Sequence, residues 1–151
     1  MRKHRMLTVA SVASAALAFV VLACAPAEVE PSMQPLDGRD WTLAALRGAP
    51  TVRDSVTSRV AMLRFDADSG RVYGSGGCNR ISGPYTLVGD TLTFGPIVST
   101  MMACVDERVG RQEFDFLAAL DSTRGFRIDA DTLTLIGSEG ELATLLAAPD
   151  E

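Results

Sequence analysis

The sequence predicts a mainly β domain with one α-helix: a small antiparallel sheet, coiled strongly enough to approach a barrel, with the helix packed at one end or mouth. Three observations predict it. Runs of alternating apolar and polar residues are separated by turn clusters, one hairpin is written twice, and a single segment has helical period.

The first strand is expected at Trp41-Thr42-Leu43 with Leu46. Val60–Phe65 alternates and runs into the turn cluster Asp66-Ala67-Asp68-Ser69-Gly70, and Arg71–Gly74 starts the return, which makes a hairpin. An internal repeat follows. Tyr85–Phe94 matches Phe126–Leu135, each reading aromatic, apolar two positions on, a short turn, then Asp-Thr-Leu-Thr and an apolar residue. Alternate apolar positions bury one face of each hairpin and leave threonines on the other. Gly89 accepts the positive φ of a tight turn, whereas Ala130 does so poorly, which predicts a different turn in the second copy. Asp106 is a candidate N-cap with Glu107 in the first turn, where the helix dipole favours an anion. Val109, Glu113, Phe116, Leu117 and Leu120 share a helical face that only Glu113 breaks, and Gly125 is expected to close the segment. Leu142–Leu146 is expected to be the last strand.

Before this domain the chain has another character. Met1-Arg2-Lys3-His4-Arg5 is basic, Leu7–Ala23 is uncharged, and Val21-Leu22-Ala23-Cys24 resembles the lipobox of bacterial lipoproteins. The apolar run is nearly long enough for an uncleaved anchor, but it is rich in Ala and Ser. The expected organisation is a signal peptide over 1–23, a lipidated tether over 24–35 and one globular domain over 36–148. The tether, with three prolines after Cys24, reads as extended chain. Ala25 after the lipidated Cys24 implies outer-membrane sorting, facing the periplasm, in a two-membrane bacterium.

Cleavage before Cys24 would remove every Lys and the one His, leaving 11 arginines against 19 acids, a formal charge of −8. An acidic surface disfavours nucleic acid and direct contact with anionic lipid. Without His there is no Ser-His-Asp triad, Cys-His dyad or imidazole base, and the commonest zinc ligand is missing. Without Lys there is no Schiff base and no Walker lysine. Gly74-Ser75-Gly76-Gly77 is followed by Cys78-Asn79-Arg80 and fails the P-loop pattern. Asp66-x-Asp68-x-Gly70 lacks the Glu that would complete a calcium loop, so turn chemistry explains it better. No metal, cofactor or catalytic residue is expected. Of three cysteines, Cys24 is assigned to lipid, which leaves Cys78 and Cys104 as an even pair in an oxidising compartment. A structural disulfide is the expectation, with a reactive thiol pair as the alternative.

The stretch Gly74-x-Gly76-Gly77-Cys78-Asn79, then Gly83-x-Tyr85, Gly89-Asp90-x-Leu92-x-Phe94 and Ser99-Thr100-Met101-Met102-Ala103-Cys104, resembles the META domain of HslJ-like bacterial lipoproteins. Trp41-x-Leu43-x-x-Leu46-x-Gly48 and Glu113-x-x-Phe116-Leu117-x-x-Leu120 are similar to that family too. Val105 departs from it, since relatives often carry Pro there. The resemblance implies a small β-rich, barrel-like fold with a helix, secretion, and a link to envelope or heat-shock stress. It does not imply an established enzymatic activity or ligand. Gly74, Gly76, Gly77, Asn79, Gly83, Tyr85, Gly89, Asp90, Met102 and Ala103 are its motif residues, either architectural or binding. The expected function is that of a non-catalytic envelope lipoprotein acting through binding, held to the membrane by its lipid. Its partner would be an envelope protein or a small ligand. The alternatives are a barrel-type carrier of an apolar molecule, or an inhibitor of an exported hydrolase through the loops Gly74–Pro84 or Ser99–Asp106.

Overall fold

The structure is a computed structural model that describes residues 36–53 and 59–148. The expected signal peptide, Cys24 and the tether lie outside the described residues. Among the described residues, ten strands and one helix follow in the order β1 (Asp40–Leu46), β2 (Ala49–Pro50), β3 (Ala61–Asp66), β4 (Arg71–Gly76), β5 (Arg80–Val88), β6 (Thr91–Phe94), β7 (Val98–Ser99), α1 (Glu107–Ser122), β8 (Gly125–Asp129), β9 (Thr132–Gly137) and β10 (Gly140–Ala147). All strand pairings are antiparallel, and the sheet runs β6-β5-β4-β3-β1-β10-β9-β8. The short β2 pairs with β1, and β7 with β5. Neither was legible in the sequence, because two-residue strands carry no period.

Alternation places the core. In β3, Ala61, Leu63 and Phe65 are buried while Met62 and Arg64 face outward. In β10 the period breaks, and Leu142 and Ala143 are both buried. The register with β9 shifts there, between Glu141 and Ala143, as a β-bulge requires. Trp41, Leu63, Phe65, Val72, Leu133 and Leu145 meet inside with Phe116 and Leu120 of α1. Trp41 is fully buried and donates its indole Nε1–H to the Leu36 carbonyl at 2.9 Å, so the ring's one polar group is satisfied.

The repeated segments become β5–β6 and β8–β9, the two ends of the sheet. The seam between them is nearly closed, and the Phe126 N–H donates across it to the Asp90 carbonyl at 3.1 Å. Both turns have two residues, because Val88 pairs with Thr91 and Asp129 with Thr132. Gly89 has φ +60°, and Ala130 has φ +50°. The expectation of a different second turn is therefore corrected. The same loop length forces the same left-handed first residue, although Ala pays for it in steric strain.

Asp106 caps α1 as expected, accepting from the Arg108 N–H at 2.9 Å. Its carboxyl is held below the usual carboxylate value by the Arg108 side chain, then by the Arg108 backbone N–H. The helix ends at Ser122 with Thr123 as an extended cap, and Gly125 opens β8. Gly125 is thus not the helix stop. Thr123 ends the helix, its N–H returning to the Leu120 carbonyl and its hydroxyl donating to Ala119 O at 2.8 Å. The helix crosses the barrel end formed by the C-termini of β4 and β9. Val109 faces Gly77 at its start, and Ser122 lies against Gly137 at its finish. The opposite end holds Leu36, the β3–β4 turn and the Ala130-Asp131 turn. Among the described residues no helix is long and apolar enough to cross a membrane.

Candidate functional site

The glycine-rich run makes room for one side chain, Glu113. A Cβ on Gly76 would collide with the Glu113 carboxyl group, and a Cβ on Gly77 would press on Val109 at 3.3 Å. Gly77 also has φ +110°, which L side chains rarely adopt. The chain turns here and aims two backbone donors at the helix. The Cys78 and Asn79 N–H groups donate to Glu113 Oε2 at 3.2 and 2.6 Å, and Asn79 Nδ2 donates to Glu113 Oε1 at 2.6 Å. Glu113 is the one polar break in the apolar helix face, and this is its reason. A buried carboxylate needs donors, and the turn supplies three.

Asn79 joins a third segment to the cluster. Its Nδ2 also donates to the Met102 carbonyl at 3.3 Å, and its Oδ1 accepts from the Met102 N–H at 2.6 Å and the Thr100 hydroxyl at 2.8 Å. All four hydrogen-bonding positions of the amide are filled. Its partners lie 21, 23 and 34 residues away along the chain. The Thr100 N–H donates to the Arg80 carbonyl at 3.2 Å, and the Arg80 N–H returns to the Thr100 hydroxyl at 3.3 Å. Cys78 and Cys104 form a disulfide with Cα atoms 5.7 Å apart, and Cys104 packs on Gly110 of α1. Residues 100–104 are irregular chain.

Of the motif residues, Gly76, Gly77, Cys78, Asn79, Met102 and Cys104 meet in this one cluster. Gly74 lies apart in β4, where a Cβ would strike the Met62 carbonyl of β3. Gly83 lies under Ile97 and Pro96. Tyr85 stands edge-on to Phe65, ring centroids 5.1 Å apart, and burial pushes its phenol up, with Asp37 and Asp66 adding to the effect. Gly89 and Asp90 form the first hairpin turn, and Ala103 is exposed. Asp66 accepts from the Ser69 N–H at 3.1 Å, as its turn position predicted.

Three contributors escaped the sequence reading as site residues: Glu113, Thr100 and Gln112. Gln112 is buried and clamps Val52 as a strand neighbour would, accepting from its N–H at 2.6 Å and donating to its carbonyl at 3.1 Å. Polar residues on the buried face of α1 were the available signal. An open groove of about 750 Å3 runs between α1 and the segment Leu46–Val52, lined among others by Arg47, Arg108, Arg111, Glu107 and Asp115.

The cluster leaves little for acid–base chemistry, because the Glu113 and Asn79 side chains are consumed by internal bonds. Among the described residues, every buried side-chain nitrogen and oxygen has a partner, and no group of three His, Cys, Asp or Glu is placed to hold a metal. What the cluster does is fix the loop 100–105. That loop turns its apolar side chains outward: Met101 is 86% exposed, Met102 48% and Val105 78%, and Met101 has φ +58°. Phe114, one helical turn beyond Gly110 and 68% exposed, stands on the same side of α1.

A small, nearly closed antiparallel barrel with one end crossed by a helix, and a Gly-Gly-Cys-Asn turn folded around a helix carboxylate, define the class. Residues 34–150 match the META domain family, and the chain belongs to it. Its fold is similar to a solution structure of a protein from Burkholderia xenovorans, at 28% identity and TM-score 0.60, covering 76% of this chain and 85% of that one. A second solution structure is similar at 23% identity and TM-score 0.58, covering 74% and 91%. A DUF4847 family protein from Bacteroides vulgatus shares the fold at 16% identity and TM-score 0.52, covering 77% and 96%. No curated protein sequence matches the chain.

Proposed function

We propose that this META domain protein is a non-catalytic cell-envelope lipoprotein that docks a protein partner through the loop 100–105 and Phe114. The carrying observation is that loop. Val98–Val105 contains no charged residue, is largely exposed, and is clamped rather than left free. A contiguous exposed apolar surface marks interaction sites on soluble domains. The partner's face is apolar, to match the exposed Met101, Met102, Val105 and Phe114. Inhibition of an exported hydrolase is one form such docking could take. A carrier is less well supported: large side chains fill the barrel interior, and the groove on α1 is open and ringed by charges.

Export, lipidation of Cys24 and outer-membrane placement belong to the same proposal, supported by the basic Met1–Arg5, the uncharged Leu7–Ala23 and the lipobox-like Val21–Cys24, and a role in stress tolerance is proposed with them. A photo-crosslinking residue at Val105, expressed in intact cells, should give a discrete adduct that the same residue at Asp68 on the opposite barrel end does not. Equal labelling from both positions would defeat the docking reading. Cys24→Ser should release the domain to the soluble fraction, and unchanged membrane partition would defeat the lipid anchor.

A further inference from the structure

We propose that Met101, with Met102 behind it, is a methionine-sulfoxide switch on the docking loop, which makes peroxide-class oxidants a second input to this protein. The inference rests on the docking reading and adds its regulation.

The sulfur inventory of the described residues carries the argument. Cys78 and Cys104 are joined, so neither offers a thiolate to an oxidant. The reduced sulfurs that remain are the thioethers of Met62, Met101 and Met102. Met62 is half-buried on β3. Met101 stands at the tip of the loop, almost fully exposed, in a left-handed backbone conformation that a non-glycine residue adopts at a cost. The neighbours hold it there: Thr100 is fixed to Arg80 and Asn79, and Met102 to Asn79 through both its N–H and its carbonyl.

That geometry separates oxidation from unfolding. With hydrogen peroxide, the Met101 sulfur attacks one peroxide oxygen, the O–O bond breaks, an S–O bond forms, and water leaves. Sulfur is oxidised by two electrons and peroxide reduced by two. The product is a polar, chiral side chain where an apolar one stood. In a core this would disrupt packing, but here no core contact is lost, and the backbone clamp contains no sulfur. The docking patch loses its apolar tip while the barrel keeps its shape.

The test uses the full-length protein, purified without reductant and treated with graded hydrogen peroxide. Among the three described methionines, peptide mass spectrometry should find Met101 oxidised first, Met102 next and Met62 last, with the melting temperature unchanged when Met101 is fully converted. The Val105 crosslink should disappear on treatment of the wild type and return when the treated protein is reduced with methionine sulfoxide reductase. Oxidation of Met62 ahead of Met101, unfolding in step with Met101 oxidation, or a lost crosslink that the reductase does not restore would each overturn the switch. If the untreated protein gives no Val105 adduct, the docking reading fails and the switch fails with it. Loss of oxidation order alone removes only the switch.

Discussion

Asn79 and Glu113 form one unit, and their energetics should show it. Removing the Glu113 carboxylate strands the Cys78 N–H, the Asn79 N–H and one Asn79 amide proton in a buried place. Each stranded donor costs about 1–3 kcal/mol, so Glu113→Ala should lower unfolding stability by roughly 3 kcal/mol or more in denaturant titrations. Gly76→Ala places its methyl group where that carboxyl lies and should destabilise for the same reason. Two substitutions that break one interaction cannot break it twice. The double variant should therefore cost less than the sum of the single ones by at least about 1 kcal/mol, and strict additivity would show that Gly76 serves some other purpose. In the sequence, Gly76, Gly77, Cys78 and Asn79 stood out as a block, whereas Glu113 showed as a flaw in an apolar stripe and as the first residue of a helix motif similar to the family's, with no sign of its partners. A stripe shows that a residue is buried and says nothing of what meets it.

The twin hairpins are a test within one molecule. They share a two-residue turn and a left-handed first position, filled by Gly89 in one and Ala130 in the other. Ala130→Gly should raise stability by about 0.5–1 kcal/mol, and Gly89→Ala should lower it by a similar amount. A loss on Ala130→Gly would mean that chain entropy outweighs steric relief. The helix makes a pH prediction through Asp106. Its folded carboxyl is held below the ordinary value of 3.8, so the fold favours the ionised form. That contribution is fully present above the unfolded value and is lost as pH falls through the folded one. The melting-temperature gap between wild type and Asp106→Ala should be constant near neutrality and shrink below about pH 3.8. A gap that persists unchanged to pH 2 would remove the carboxylate as the working cap.

On the scale of the whole molecule, the disulfide joins the end of β4 to the chain that enters the helix, across 26 residues of sequence. In the chain-entropy account a loop of that length restricts the unfolded state by about 3.5 kcal/mol. The Cys78→Ala, Cys104→Ala double variant should lose roughly that much and still fold, because Asn79 and Glu113 hold the same segments independently. Thiol labelling of native protein purified without reductant should find neither cysteine free. Labelling of both, or a double variant as stable as the wild type, would contradict the structural role.

Local patterns determined the fold class, the order of the long strands, the repeated hairpin, the helix and its cap, and the cysteine pairing. Each follows from periodicity, a capping residue or a count, and these act over a few residues or over the whole composition. The tertiary structure alone decided that the repeats form the two edges of one barrel and meet at Asp90 and Phe126. It also decided that Asn79 bonds Met102 and Glu113, and that Ala130 accepts a left-handed turn. The physical reason is distance along the chain. A buried polar group must be satisfied, but which distant donor satisfies it depends on how strands coil and where a helix crosses them, and no single segment encodes that.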